Sequence, residues 1–350
     1  MSKGTVLITG LNGYIAGVTA KYFLDNGYSV RGTVRRSSSA KPIIEGPLKS
    51  YAQSGALSIL EVPDITVAGA FDEAVKGVTA IAHLASPASF DLTDPEPVIK
   101  AAVDGTRTIL KSALNAGPQL KAVVYLSSLV AVITQDPAPY TLTEKDWNQW
   151  AEPTVAAMGK ETPGNVIYMA SKTAAEKAFW KFRDENKPSF TQTAVNPVFV
   201  IGPPLIAPKT AVEISPTISA IWNTFRGGEF PAPGLTAGLG HTVDVRDVAA
   251  QVEYSIAHPK ETNGERYLSS AAVATAQSNA DILRKAFPNA KGRILEGTPG
   301  KGYNADHTLV DKENVQDVDG SKAKKLLKDG EYILHEKSVI DTAKSFAHLV

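Results

Sequence analysis

Tyr168 and Lys172 stand four residues apart in the run Tyr168-Met169-Ala170-Ser171-Lys172. On a helix that spacing puts both side chains on one face. A phenol titrates near ~10, too high to trade protons at neutral pH, and a neighbouring ammonium favours the phenolate. The pair therefore reads as a proton donor with the group that tunes it. Taken alone, the spacing fits a surface Tyr and Lys equally well. Ser127-Ser128 gives it weight, because the two serines close the apolar run Ala122–Leu126. The C-terminal end of a parallel strand faces the crevice where ligands bind, so a serine there can hydrogen-bond a substrate oxygen beside the tyrosine.

A second constellation opens the chain. Gly10-Leu11-Asn12-Gly13-Tyr14-Ile15-Ala16 follows the apolar run Thr5–Thr9 directly. In this G-x-x-G-x-x-A spacing the glycines let the backbone turn tightly and approach a pyrophosphate, which then sits at a helix N-terminus. The next strand pattern ends in Val34-Arg35-Arg36-Ser37, with no acid between Tyr28 and Ala40. An NAD site would place Asp or Glu here for the ribose 2′-hydroxyl. Guanidinium forks suit a 2′-phosphate instead, which points to NADP(H), with Arg35 the first choice because it ends the strand.

These residues need a scaffold that brings strand ends together. Thr5–Thr9, Ser29–Val34, Ala56–Val62, Ala80–Leu84, Ala122–Ser127 and Thr191–Asn196 read as short strands. Helical patterns lie at Tyr14–Asn26, Ala68–Val75, Pro97–Asn115 and Tyr168–Asn186. Apolar strands that barely alternate, separated by helices, predict an α/β fold: a doubly wound parallel sheet covered on both faces. After about residue 205 Pro and Gly become frequent, which predicts a smaller, mostly C-terminal lobe. The predicted division is 1–205 with 240–270 for the dinucleotide-binding (Rossmann) unit, returning to the main sheet near Gly264–Ser269. Residues 206–239 and 271–350 would form the substrate lobe.

Composition narrows the chemistry. The 350 residues carry 36 Lys plus Arg against 36 Asp plus Glu, so no charge excess draws the chain to nucleic acid or an anionic membrane. Cysteine is absent, which excludes disulfides, thiolate nucleophiles and Cys-ligated metals. The six histidines show no ligand spacing, so no metal is expected. No run approaches the ~20 apolar residues of a membrane span, and no secretory signal is evident, so a cytoplasmic protein is expected.

The stretches VLITGLNGYIA, VRGTVR, HLASP, AAVDGT, VVYLSS, YMASKTAAEKAFWKF, NPVFVIGP and HTVDVRDVA follow one another along the chain, with GERYL near Gly264 and DGSKAKKLL near Asp319. In this order the sequence resembles the extended short-chain dehydrogenases/reductases over nearly all its length. Within them it looks like the NADPH-dependent carbonyl reductases that include dihydroflavonol-reductase-like and aldehyde- or methylglyoxal-reductase-like enzymes. The resemblance implies Gly10, Asn12, Gly13, Tyr14 and Ile15 at the pyrophosphate loop, with Ala16 in the third motif position, and Arg35 at the 2′-phosphate. It implies Asp64 and Ile65 at the adenine, Leu84, Ala85 and Ser86 beside the riboses, and Pro197, Val198 and Phe199 against the nicotinamide. Ser128, with Ser127 as fallback, would be the catalytic serine and Tyr168 the general acid. Lys172 would bind the nicotinamide ribose and lower the tyrosine pKa. Ala102 stands where the classical subgroup carries an asparagine, so a proton relay would run through the ribose, Lys172 and water.

The expected reaction is NADPH-dependent reduction of a ketone or aldehyde, by a monomer or homodimer. The long Ser128–Tyr168 segment, with Trp147, Trp150 and Met158, would border the pocket. Phe90, Phe199, Ile214, Trp222 and Phe225 would line it and favour an apolar or aromatic substrate, although core packing explains each of these aromatics as well. A nucleotide-sugar epimerase, a hydroxysteroid-type dehydrogenase and a non-catalytic dinucleotide sensor are the competing readings. The intact Ser128, Tyr168 and Lys172 speak against the sensor.

Overall fold

The computed structural model describes residues 2–86, 93–230, 240–311, 313 and 315–350. Its frame is a seven-stranded sheet: β1 (Thr5–Thr9), β2 (Ser29–Val34), β3 (Leu57–Glu61), β4 (Ala80–His83), β5 (Ala122–Leu126), β6 (Thr191–Pro197) and β7 (Arg266–Ser269). All pairings are parallel, in the order β7-β6-β5-β4-β1-β2-β3. The chain builds outward from β1 to β3, then crosses back to place β4 on the other side of β1. That reversal opens a crevice at the C-terminal ends of β1 and β4.

Both faces are covered, which explains strands that do not alternate. Val6 and Ile8 of β1 pack with the helices α1 (Tyr14–Asp25) and α4 (Val245–Ala257). Leu7, between them in sequence, packs on the opposite side with α2 (Pro95–Leu114) and α3 (Gly164–Asn186). Asp94 starts α2 by accepting the Glu96 N–H, with Pro95 pre-set for the first turn. Phe179 of α3 is fully buried and stacks on Tyr125 of β5, which stacks on His83 of β4. This aromatic file fixes α3 against the two strands whose ends carry the site.

The structure departs from the sequence reading in two places. Ala68–Val75 is a series of hydrogen-bonded turns, not a helix. Gly69 has φ +77, which breaks a right-handed helix, yet Phe71, Ala74 and Val75 are buried as a helical face would be. The tyrosine helix begins at Gly164, so Tyr168 lies in its second turn. The return to the main sheet expected near Gly264–Ser269 is made by β7. His241–Asp244 pairs instead with Phe199–Ile201 and Ala272–Val273 in a three-stranded sheet.

A separate apolar cluster joins Ile201, Ile214, Ile218, Ile221 and Phe225 to Ile282, Leu283, Val339 and Phe346. Tyr140–Leu142 pairs in parallel with Gln316–Val318, which ties the long segment between Ser128 and Tyr168 to the C-terminal part of the chain. Among the described residues no helix is long and apolar enough to cross a membrane.

Candidate active site

The crevice is held open by one hydroxyl that the sequence reading passed over. Thr9 Oγ1 accepts hydrogen bonds from the Leu84 and Ala85 N–H groups at 3.0 and 2.9 Å, and lies 2.9 Å from His83 Nδ1. Burial pushes the His83 pKa down to about 3, so the ring is neutral and its Nδ1 can accept the threonine proton. One side chain thus pins the end of β1 to the end of β4. Its position, immediately before Gly10, was the available signal.

Gly10 has φ +70, and a Cβ there would stand 3.1 Å from Ala85 Cα. A Cβ on Gly13 would stand 3.1 Å from the Gly10 carbonyl oxygen. The positive φ and close approach at Gly10 favour glycine there, and Gly13 leaves little room for a Cβ, as in a cradle for a phosphate group. Above them lies a cavity of about 900 Å³, lined by Gly10, Asn12, Gly13, Arg35, Arg36, Asp64, Ile65, Leu84, Ala85 and Ser86, among others. That volume lies within the range of sites for whole cofactors. Asp64 accepts the Thr66 N–H and hydroxyl at 2.8 and 2.7 Å. Those two bonds hold its carboxyl below the usual range, with help from the Arg35 charge. Glu61, at the tip of β3, accepts the Ser37 N–H at 2.6 Å and its hydroxyl at 2.8 Å. An acid thus reaches the turn after β2 from a neighbouring strand, engaged with the loop itself.

Ser128 follows β5, the neighbour of β4, and its hydroxyl accepts the Val130 N–H at 3.4 Å. The Ser128 hydroxyl lies near enough to the Tyr168 phenol to favour its ionised form. Ser127, the fallback serine, is buried and donates to Glu176 at 2.5 Å, so its hydroxyl is committed elsewhere. Lys172 is buried one turn beyond Tyr168.

The electrostatics differ from the sequence expectation. Burial holds the Tyr168 phenol above its ordinary pKa, and the Ser128 hydrogen bond only partly opposes this. The lowering expected from Lys172 does not enter, and a phenolate in this dry setting loses its hydration. Burial also pushes Lys172 down to about 8, with the Glu176 charge pulling the other way.

Other expected site residues lie apart from the large cavity. The Tyr14 phenol donates to the Gly202 carbonyl at 2.7 Å, and Ile15 packs against the core. Tyr14 and Ile214 line a second cavity of about 260 Å³, with Asn12, Leu205, Ile206 and Ile218. Pro197 and Val198 are buried, with Val198 N–H donating to Ser269, and Phe199 begins the small sheet. None of these three lines either cavity. Ala101, not Ala102, meets the large cavity.

Trp222 and Phe225 pack on Phe346, so their role is core packing. Trp147 lies 3.9 Å under the Arg266 guanidinium, Trp150 packs on Ala151, Val166 and Ala170, and Met158 is exposed. Phe90 lies outside the described residues.

Residues 6–268 match the family described as NAD dependent epimerase/dehydratase family. The chain belongs to that family. Inside the epimerase/dehydratase family it is 33% identical to a putative NADPH-dependent methylglyoxal reductase of Candida albicans, over 92% of this chain and 94% of that one. It is equally 33% identical to an NADPH-dependent methylglyoxal reductase of Saccharomyces cerevisiae, over 92% of each chain. The crystal structure of yeast methylglyoxal/isovaleraldehyde reductase Gre2 complexed with NADPH superposes with a TM-score of 0.83. It has 29% identity and covers 99% of this chain and all of that one. The Rossmann-like fold read from the strand pattern is therefore the fold of this family.

Proposed function

We propose that this protein reduces an aldehyde or ketone to an alcohol with NADPH. The observation that carries the reading is the grouping of Ser128, at the end of β5, with Tyr168 and, one turn on, Lys172, next to the β4 end that lines a cofactor-sized cavity. The NADPH dependence of the relatives agrees with two arginines and no acid at the end of β2.

In this reading Gly10, Asn12 and Gly13 cradle the pyrophosphate, and Arg35 takes the 2′-phosphate. Asp64 and Ile65 flank the adenine, and Leu84, Ala85 and Ser86 the riboses. Tyr14, Ile15, Pro197, Val198 and Phe199 act behind this lining as support. Bound NADPH would supply a hydride to the carbonyl carbon. Ser128 and Tyr168 hydrogen-bond the carbonyl oxygen, and the tyrosine hands over its proton as negative charge grows there. A phenol held above its ordinary pKa is fully protonated at neutral pH, which suits an acid working in the reductive direction. Lys172 remains mostly an ammonium at pH 7 and orients the cofactor ribose.

The substrate class we favour is a small aldehyde or ketone with an apolar or aromatic substituent. The small aldehydes named for the yeast relative, of which isovaleraldehyde carries an apolar chain, support it. The division at 1–205 with 240–270 against 206–239 with 271–350 belongs to the same proposal, as does a cytoplasmic location.

The test is NADPH consumption at 340 nm with a panel of aldehydes, diketones and aryl ketones. Turnover with at least one class is expected. NADPH binding without turnover of any of them would favour a dinucleotide sensor instead.

A further inference from the structure

α3 carries a third polar residue on the face of Tyr168 and Lys172. Glu176 follows Lys172 by one turn and has no exposed surface. A lone carboxylate in such a place is strongly disfavoured, so its partners show what it is there for. Its Oε2 accepts from Ser127 Oγ at 2.5 Å and from Asn196 Nδ2 at 2.7 Å. Its Oε1 accepts from Arg266 Nε at 2.6 Å and from Trp180 Nε1 at 3.2 Å. Ser127 follows β5, Asn196 lies in β6 and Arg266 in β7, so one carboxylate ties three adjacent strands to the helix of the general acid. Asn196 Nδ2 also donates to the Ser128 carbonyl at 3.2 Å, which extends the network to the serine that meets Tyr168.

We propose that Glu176 is a positioning residue of the reductase site: its buried carboxylate fixes the strand end that presents Ser128 and supplies the negative charge one turn behind Lys172. The proposal rests on the carbonyl-reductase reading above.

The charge half follows from what else faces the two groups. His83 of β4 is neutral, and Tyr125 of β5 is held protonated by burial. Tyr168 is likewise protonated. Arg266 of β7 is a second cation, paired to the same carboxylate. Among the described residues acting on Lys172, Glu176 is the one that opposes its loss of charge. Without it, Lys172 loses the charge that favours its ammonium, which then gives up its proton at lower pH.

The test is Glu176→Gln, which keeps size and drops the charge. Two readouts are taken: the pH profile of kcat, and the titration of Lys172 in ligand-free protein. The latter uses ¹³C-lysine NMR, assigned with Lys172→Met. The expected result is a kcat lower by roughly tenfold or more at pH 7.5. The Lys172 midpoint should fall by about one pH unit or more from its value near 8. Glu176→Asp should bring the midpoint back part of the way. A merely structural role would lower the unfolding temperature and leave the midpoint in place.

If Glu176→Gln does not fold, Ser127→Ala removes one strand link and keeps the charge. It should lower kcat about threefold with the midpoint unmoved, and Glu176→Asp should lower the midpoint by less than about one pH unit. Folded variants with wild-type kcat and midpoint would overturn the proposal. A wild-type protein that turns over no carbonyl would sink the reductase reading instead, while the NMR midpoint still decides the charge half.

Discussion

Replacing Lys172 by Met should stabilise the ligand-free protein while removing its activity. The ammonium is buried, and burial brings its pKa from 10.5 down to about 8. Each tenfold change in a protonation equilibrium is worth about 1.4 kcal/mol, so keeping the charged form inside the fold costs about 3 kcal/mol at pH 7. Methionine has nearly the same length and no charge to desolvate, so it relieves most of that cost. The sign fixes the pH window. A lysine whose folded pKa lies below its unfolded value binds fewer protons in the native state between pH 8 and 10.5. Wild-type stability therefore rises with pH across that interval, and the deficit is fully present below about pH 8. Urea unfolding of both proteins at pH 7 and pH 10 measures it. Lys172→Met should be more stable by about 2–3 kcal/mol at pH 7, with the gap shrinking by more than half at pH 10. A variant less stable than wild type at pH 7, or a gap that does not change with pH, would refute the reasoning. The outcome expected is a stability–activity trade-off at a site strained by its own charge.

Further expectations concern the cofactor cradle. Arg35→Glu should weaken NADPH binding by roughly 10–100-fold, the size of a lost charge-assisted hydrogen bond, and change NADH binding little. Fluorescence titration with both cofactors reads this, and unchanged discrimination would move the 2′-phosphate site elsewhere. Gly10→Ala forces an L residue to φ +70 and puts a methyl 3.1 Å from Ala85 Cα. It should destabilise the fold by about 1–2 kcal/mol and cut the thermal shift produced by saturating NADPH. An unaltered NADPH shift would remove Gly10 from the proposed cradle.

The sheet was legible because each strand is a short apolar run closed by a turn residue, and Thr5–Thr9 and Ser29–Val34 end where the sequence pattern ends. Ala68–Val75 was misread because the spacing of Phe71, Ala74 and Val75 buries a turn series as well as it buries a helix. Only the positive φ of Gly69 separates the two. The catalytic constellation was legible as residue types, but the choice within Ser127-Ser128 was not. Adjacent strand residues point to opposite faces, and which face meets Tyr168 depends on Glu176 claiming the other hydroxyl. Glu176 itself went unread, although it stands at i+4 from Lys172. A glutamate on a helix is ordinarily solvated, and the donors that make this one a buried hub come from Asn196 and Arg266, far away in sequence. The tuning of Tyr168 was misjudged because a sequence shows a charge nearby and not the burial that raises the phenol.

The most direct measurement of the central claim pairs Tyr168→Phe with wild type in two assays: carbonyl-dependent NADPH oxidation and NADPH binding. Loss of the phenol proton should lower kcat by roughly 10²–10⁴-fold, as removal of a general acid does, with the NADPH Kd within about threefold of wild type. Retention of most of the activity by Tyr168→Phe would contradict the assignment of Tyr168 as the acid and, with it, the proposed mechanism.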